Sequence, residues 1–278
     1  MLRAVGSEQM DAMKNDVEGT GAVCPFTGRK ADVAVTPGSE AEKKPAKPAM
    51  FTTADVERFL AVMRPLGTTI DWMRQFLARP HPELGRSGPV CPFVPGALDQ
   101  NTIWLTAVNV RSKNEIVEVV GQYRDHFLEL EPKSGDLALD KAILIVFPNL
   151  THDDAPMVDE AQAELKPRFV DAGLMIGEFH ERNESPGLRN EDFRPLRSPV
   201  PMLAIRHMVE SDLPFLQRSL DPPAMRIAFL RSYLRRLGAS LSRRNFDIAL
   251  EALVTAELDT RRLLEGDCED ALPAPAEC

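Results

Sequence analysis

The chain has 278 residues, 44% of them hydrophobic, which suffices for one large domain or a domain with an appendage. A net charge of -9 and a pI near 5.2 argue against general nucleic-acid or anionic-membrane binding, since both need a basic surface. The longest apolar run, Ala142 to Phe147, is far short of the ~20 residues a membrane helix requires, and MLRAVGSEQMDAMKND lacks the apolar stretch of a secretory signal, so a cytoplasmic protein is expected.

Residues 1–51 are rich in Gly, Ala, Pro, Lys and Glu, and PGSEAEKKPAKPAM has the composition of a linker; a disordered leader is expected here. Within it GAVCPFTG echoes GPVCPFVPG at Gly88 to Gly96. Cys-Pro dipeptides serve as thiolate ligands or sensing sites for heme, and the plainer reading of Cys24 is an exposed thiol. The four cysteines include no CxxC pair, and there is no HExxH, so neither a disulfide framework nor a zinc set is expected.

Order is expected from Thr52. Thr52 or Thr53 can cap a helix burying Val56, Phe59, Leu60 and Met63, which Pro65 and Gly67 end or kink. A second short helix follows from Thr69, and Arg79 to Pro82 stops it, leaving His81 as a surface turn residue. The prolines and glycines of Gly85 to Gly96 predict a conformationally restricted loop holding Cys91, which is either a small buried hydrophobe or a thiolate nucleophile or iron ligand. Thr102 to Val108 alternates as a strand.

Asn114 to Leu130 carries one apolar stripe, Ile116, Val119, Val120, Tyr123, Phe127 and Leu130, behind a cap at Ser112 or Asn114. Ala142 to Phe147 reads as a strand covered on both faces. In His152, Asp153 and Asp154, helix capping competes with divalent-cation binding. A helix from Ala155 to Ala172, with Pro167 a kink, then leads into two strand-like runs, Gly173 to His180 and Val200 to Val209.

Alternation puts Leu174, Ile176, Glu178 and His180 on one face of the first run; in the second it sets Arg206 and His207 on opposite sides. Between them a proline-punctuated segment carrying Arg189, Arg194 and Arg197 is expected to fold over a sheet end. Histidine can ligate metal or exchange protons and arginine can clamp a carboxylate or phosphate, so this stretch is the sequence's best candidate site. The plainer reading makes His180 and His207 hydrogen-bonded strand-end residues and the arginines solvated. Beyond Ser211 two apolar helices, the first through Met225 to Leu237 and the second through Phe246 to Leu264, form a helical hairpin packed on the sheet or on another subunit. The whole predicts an α/β (α+β) fold: a mixed sheet covered by helices over residues 52–220, a hairpin over 221–265, and a disordered tail over 266–278.

GPVCPFVPGAL with IWLTAVN, GLMIGEFH, and RPLRSPVPMLAIRHMVESDLPFL resemble an uncharacterised actinobacterial domain family of unknown function, over roughly Val56 to Leu220. A more distant similarity is to the YqcI/YcgG-like heme proteins, which include guanidine- and arginine-N-hydroxylating enzymes of natural-product pathways. The loop around Cys91, the run Ile143 to Phe147 and the approach Arg194 to Arg206 carry it; the tryptophan-rich segment of that family has no counterpart between Phe169 and Arg206. The similarity implies a heme-dependent oxygenase acting on a small polar or acidic metabolite. His207 or His180 is then the axial ligand with Cys91 third, and Arg194, Arg197 and Arg206 bind propionates or substrate carboxylate. Two other readings stand beside it: an accessory protein that binds a small acidic metabolite and dimerises through its C-terminal helices, and a cysteine-nucleophile enzyme using Cys91 with His180 or His207.

Overall fold

The structure, a computed structural model, describes residues 49–269; the leader with Cys24 and the last residues with Cys278 lie outside them. Phe51–Thr52 forms a short strand β1, and Thr52 then caps α1 (Thr53–Arg58): its hydroxyl accepts from the Asp55 N–H while the Asp55 carboxylate accepts from the Thr52 N–H. The helix stops at Arg58. Of the stripe expected on it only Val56 is fully buried, and Phe59 and Leu60 lie open to solvent because the chain leaves helical geometry at Phe59. Pro65 begins a helix instead of ending one: it sits in the first turn of α2 (Arg64–Trp72), where a missing N–H costs nothing, and α2 runs on through a π-helical turn, Met73–Leu77.

The restricted loop ends in α3 (Val94–Asp99), followed by β2 (Ile103–Ala107). Next come α4 (Lys113–Glu129), whose cap Ser112 accepts from the Glu115 N–H, the single turn α5 (Asp136–Leu139) and β3 (Ala142–Val146). A capping box between Thr151 and Asp154 precedes α6 (Ala155–Asp171), which carries Pro167 within it. Then follow β4 (Leu174–Phe179), β5 (Met202–His207), the turn α7 (Leu213–Leu216), and the paired helices α8 (Pro223–Leu237) and α9 (Arg243–Glu269).

The five strands form one mixed sheet in the order β1-β2-β3-β5-β4. β2 and β3 are parallel, with α4 in the connection between them; the other pairings are antiparallel. One face, through Ile143, Ile145, Ile176, Leu203 and Ile205, packs on Ile116, Val120 and Phe127 of α4 and Val158, Leu165 and Phe169 of α6. The other, through Ile103, Leu105, Leu144, Val146 and Met202, lies under α1, α2 and the Val90 to Ala97 loop. Full burial of each such Leu, Ile or Phe contributes about 1.5–3 kcal/mol. A third cluster joins α7, α8 and α9 to Val170 and Met175 at the β4 side.

The β4–β5 connection is anchored to the body. Phe193 is buried and stacks on His81 at 4.7 Å, while the Asn190 side-chain amide donates to the Glu83 carbonyl at 2.8 Å. His81 itself accepts from the Glu83 N–H. No helix among the described residues is long and apolar enough to cross a membrane.

Candidate functional site

On the α2 side of the sheet the residues of β4 and β5 alternate as the sequence predicts, with Met175, Gly177 and Phe179 registered against Arg206, Ala204 and Met202. Gly177 and Ala204 are therefore neighbours on this face, with Ala142 of β3 a third small residue beside Leu144. A Cβ at Gly177 would come within 3.3 Å of the Phe179 ring, so glycine there lets that ring fold down beside the floor. Above the floor lies a cavity of about 210 Å³. Trp72, Phe93, Val94, Phe179 and Leu196 wall it, with the Trp72 and Phe179 rings edge to face at 5.6 Å.

Polar groups gather at two places on this wall. At one, Arg206 is gripped by Asp212, with Nη1 to Oδ2 at 2.7 Å and Nη2 to Oδ1 at 2.5 Å, while Nη1 also donates to the His207 carbonyl. Asp212 is buried and accepts from the Val209 N–H as well. Burial works against the charge on Arg206, but the hydrogen bonds and charge of Asp212, with a smaller contribution from the nearby Cys91 sulfur, outweigh it and push its pKa up. Cys91 lines the same wall; its N–H is held by the Leu77 carbonyl.

The second polar end lies at the β4 edge, where Gln162 and Lys166 of α6, Glu178 of β4 and Arg218 after α7 meet. Lys166 is buried, with Nζ donating to the Phe215 carbonyl at 3.1 Å and 3.5 Å from Asp221; burial lowers its pKa. Burial pushes the Glu178 pKa up, and the Asp159 charge adds to this. Arg218 is exposed, lies over the Phe215 ring at 5.3 Å, and has no carboxylate partner among the described residues.

Of the residues singled out in the sequence, Cys91 and Arg206 come together here. The others lie elsewhere. His180 is buried beside the loop with Nε2 2.8 Å from the Asp159 carboxylate and its Nδ1 without a partner. His207 lies on the α4 face, its ring 4.9 Å from that of Phe127; burial and the nearby Lys141 charge lower its pKa to about 4. Arg194 and Arg197 both pair with Glu184, at 3.2 and 2.5 Å, beside a shallower pocket shared with Phe76 and His81. The stretch from Gly173 to Val209 thus distributes its reactive side chains over both faces and a loop. His152 and Asp153 are exposed, Asp154 completes the capping box, and no group of three metal-ligating side chains occurs among the described residues.

These residues do not fit an axially ligated heme in this cavity. Neither histidine lines it; Cys91, the third candidate ligand, does, but the volume lies below the ~300–1,000 Å³ of pockets enclosing drug-sized ligands, themselves smaller than a porphyrin. Reading the sequence alone passes over Lys166, Glu178, Asp212 and Arg218. One signal was present: Gln162 and Lys166, four apart, share a face of a helix whose other inward positions are apolar.

A family model described as a domain of unknown function (DUF6875) matches residues 66–247. No curated protein and no solved structure matches the chain.

Proposed function

From the premise that the chain belongs to the family described as a domain of unknown function, DUF6875, a membership that names no reaction, we propose that it binds a small, largely apolar metabolite in the cavity on the β4–β5 face. The observation that carries this reading is the void itself, over the small residues Gly177, Ala204 and Ala142. Protein interiors are close-packed, and an unfilled void forfeits the dispersion contacts of its lining. An engineered apolar cavity of about 150 Å³ stays dry and takes up benzene; this one is larger, at about 210 Å³, and has polar groups at its ends. Apolar walls with a few placed polar groups are the usual composition of a small-molecule site.

Among the earlier alternatives this reading is nearest to the metabolite-binding one, with the site moved from the arginine-rich loop to the sheet. The cysteine-nucleophile reading retains Cys91 on the wall, but neither histidine stands beside it to take its proton, so no acyl-transfer step is assigned.

The test is occupancy. Benzoate, hexanoate and their neutral amides, titrated in thermal unfolding, are expected to raise the midpoint of the native chain and to leave that of Ala204→Leu unchanged, since the added side chain fills the floor. Ala204→Leu is itself expected to unfold at the same or a higher temperature. If no compound shifts the native chain, or the filled variant responds equally, the cavity is not the site.

A further inference from the structure

Deepening the cavity reading on which it rests, we infer that the ligand is a carboxylic acid whose carboxylate is held at the β4 edge between the Arg218 guanidinium and a protonated Glu178, so that binding is linked to proton uptake. Three observations meet at this end. Arg218 is exposed at the cavity's mouth and has no carboxylate partner among the described residues, whereas Arg206, at the other polar place, has both Nη atoms committed to Asp212. Buried Lys166 adds a second positive charge, partly committed to Asp221 at 3.5 Å. Glu178, whose side chain takes the α6 face with Ile176, lines the cavity where it rounds the edge strand β4, and accepts from the Ser185 hydroxyl at 3.4 Å.

The charged and polar groups facing Glu178 come from every element around it. α6 supplies Asp159 and Lys166 with the neutral Gln162, the segment after α7 supplies Arg218, and the loop after β4 supplies Asn183 and Ser185. Asp159 is itself occupied by His180 at 2.8 Å. Burial and the Asp159 charge raise the Glu178 pKa, opposed by the Glu178 backbone N–H, Arg218 and Asn183.

An incoming carboxylate changes that balance in a defined direction. It engages Arg218, which had been lowering the Glu178 pKa, and sets a second negative charge against Glu178. Of two carboxylates sharing a site, one has its pKa raised by the charge of the other. A proton from solvent therefore goes to Glu178, whose O–H then donates to the ligand carboxylate. No bond other than O–H forms. The affinity for an acid accordingly falls as pH rises, and that for the matching amide does not.

The experiment is calorimetric titration of the full chain at pH 7 with benzoate and with benzamide, each in phosphate and in Tris, whose ionisation enthalpies differ. For benzoate the apparent enthalpy should depend on the buffer in the sense of proton uptake, and for benzamide it should not. Glu178→Gln should abolish the buffer dependence while keeping benzoate affinity within a few-fold, because the amide also donates. Arg218→Ala should weaken benzoate about tenfold, the loss of one charge-assisted hydrogen bond, and leave benzamide unchanged. Equal binding of acid and amide with no proton uptake overturns the head-group assignment and leaves the cavity reading standing. Failure of both to bind removes that reading and this one together.

Discussion

Arg206 and His207 are adjacent in sequence and have opposite fates, because successive side chains of a strand point to opposite faces. Arg206 reaches the cavity and is held by a buried carboxylate. Removing the charge of Asp212 leaves a partly enclosed guanidinium unpaired, a loss that costs about 3–5 kcal/mol in buried pairs. Asp212→Asn is therefore expected to lower unfolding stability toward the lower end of that range, since Arg206 keeps some contact with water. Chemical denaturation checks this, with the double variant Arg206→Met, Asp212→Leu expected to recover much of the loss. His207 turns instead into the α4 face. Its pKa falls from about 6.5 in an unfolded chain to about 4 when folded. Between these values the unfolded state binds more protons, so the group's contribution to stability is complete above about pH 6.5 and is lost as pH falls toward 4. Urea midpoints measured from pH 7 to pH 4.5 should decline more steeply for the native chain than for His207→Leu. Equal slopes would show that the imidazole titrates alike in both states.

At the scale of elements, the helices follow their caps and the sheet follows its alternation. Thr52 and Ser112 start helices where their hydroxyls can accept orphan N–H groups, and Ala142 to Val146 is a strand buried on both faces, as its unbroken apolar run requires. Pro65 opens α2 where a helix end was expected, because a proline ends one helix and begins the next by the same property, its missing N–H. Lys141 shows an opposite kind of surprise: a fully buried lysine at a strand's entrance, whose ammonium donates to the Phe127 and Leu130 carbonyls at the C-terminal end of α4 and lies over the Phe127 ring. A helix C-terminus favours a cation. Nothing in the local sequence names that partner.

The C-terminal pair carries the remaining expectation, a dimer. α8 and α9 pack on each other and are bridged by Arg226 to Asp259 and Arg231 to Glu257, so the local basic run there is largely neutralised. On the outer side of α9, Phe246, Leu250, Val254 and Leu258 stand exposed at i, i+4 spacing. Two copies laid antiparallel about Val254 set Leu250 against Leu258 and Asp247 against Arg261. Light scattering of the native chain is expected to give twice the chain mass, and Leu250→Glu with Leu258→Glu the chain mass alone. A native monomer at tens of micromolar sinks the expectation.

Taken as a whole, the molecule separates what short-range pattern can determine from what it cannot. While β1, α3 and α5 are not legible in the sequence itself, its composition, periodicity and capping residues determine the order β2, α4, β3, α6, β4, β5, the mixed α+β class, the two-faced sheet and the helical pair at the C-terminus. They also place Arg206 and His207 on opposite faces. Only the tertiary structure decides where the site lies. The pairing of Gly177 with Ala204 depends on strand register across a long loop, and the meeting of Lys166, Glu178 and Arg218 depends on how α6, β4 and the segment after α7 dock. Cys91 and Arg206 meet, while His180, Arg194 and Arg197 find acidic partners away from the cavity. Such encounters are decided by packing between elements distant in the chain. Local sequence encodes which face a side chain takes, and the tertiary fold alone supplies what stands opposite it.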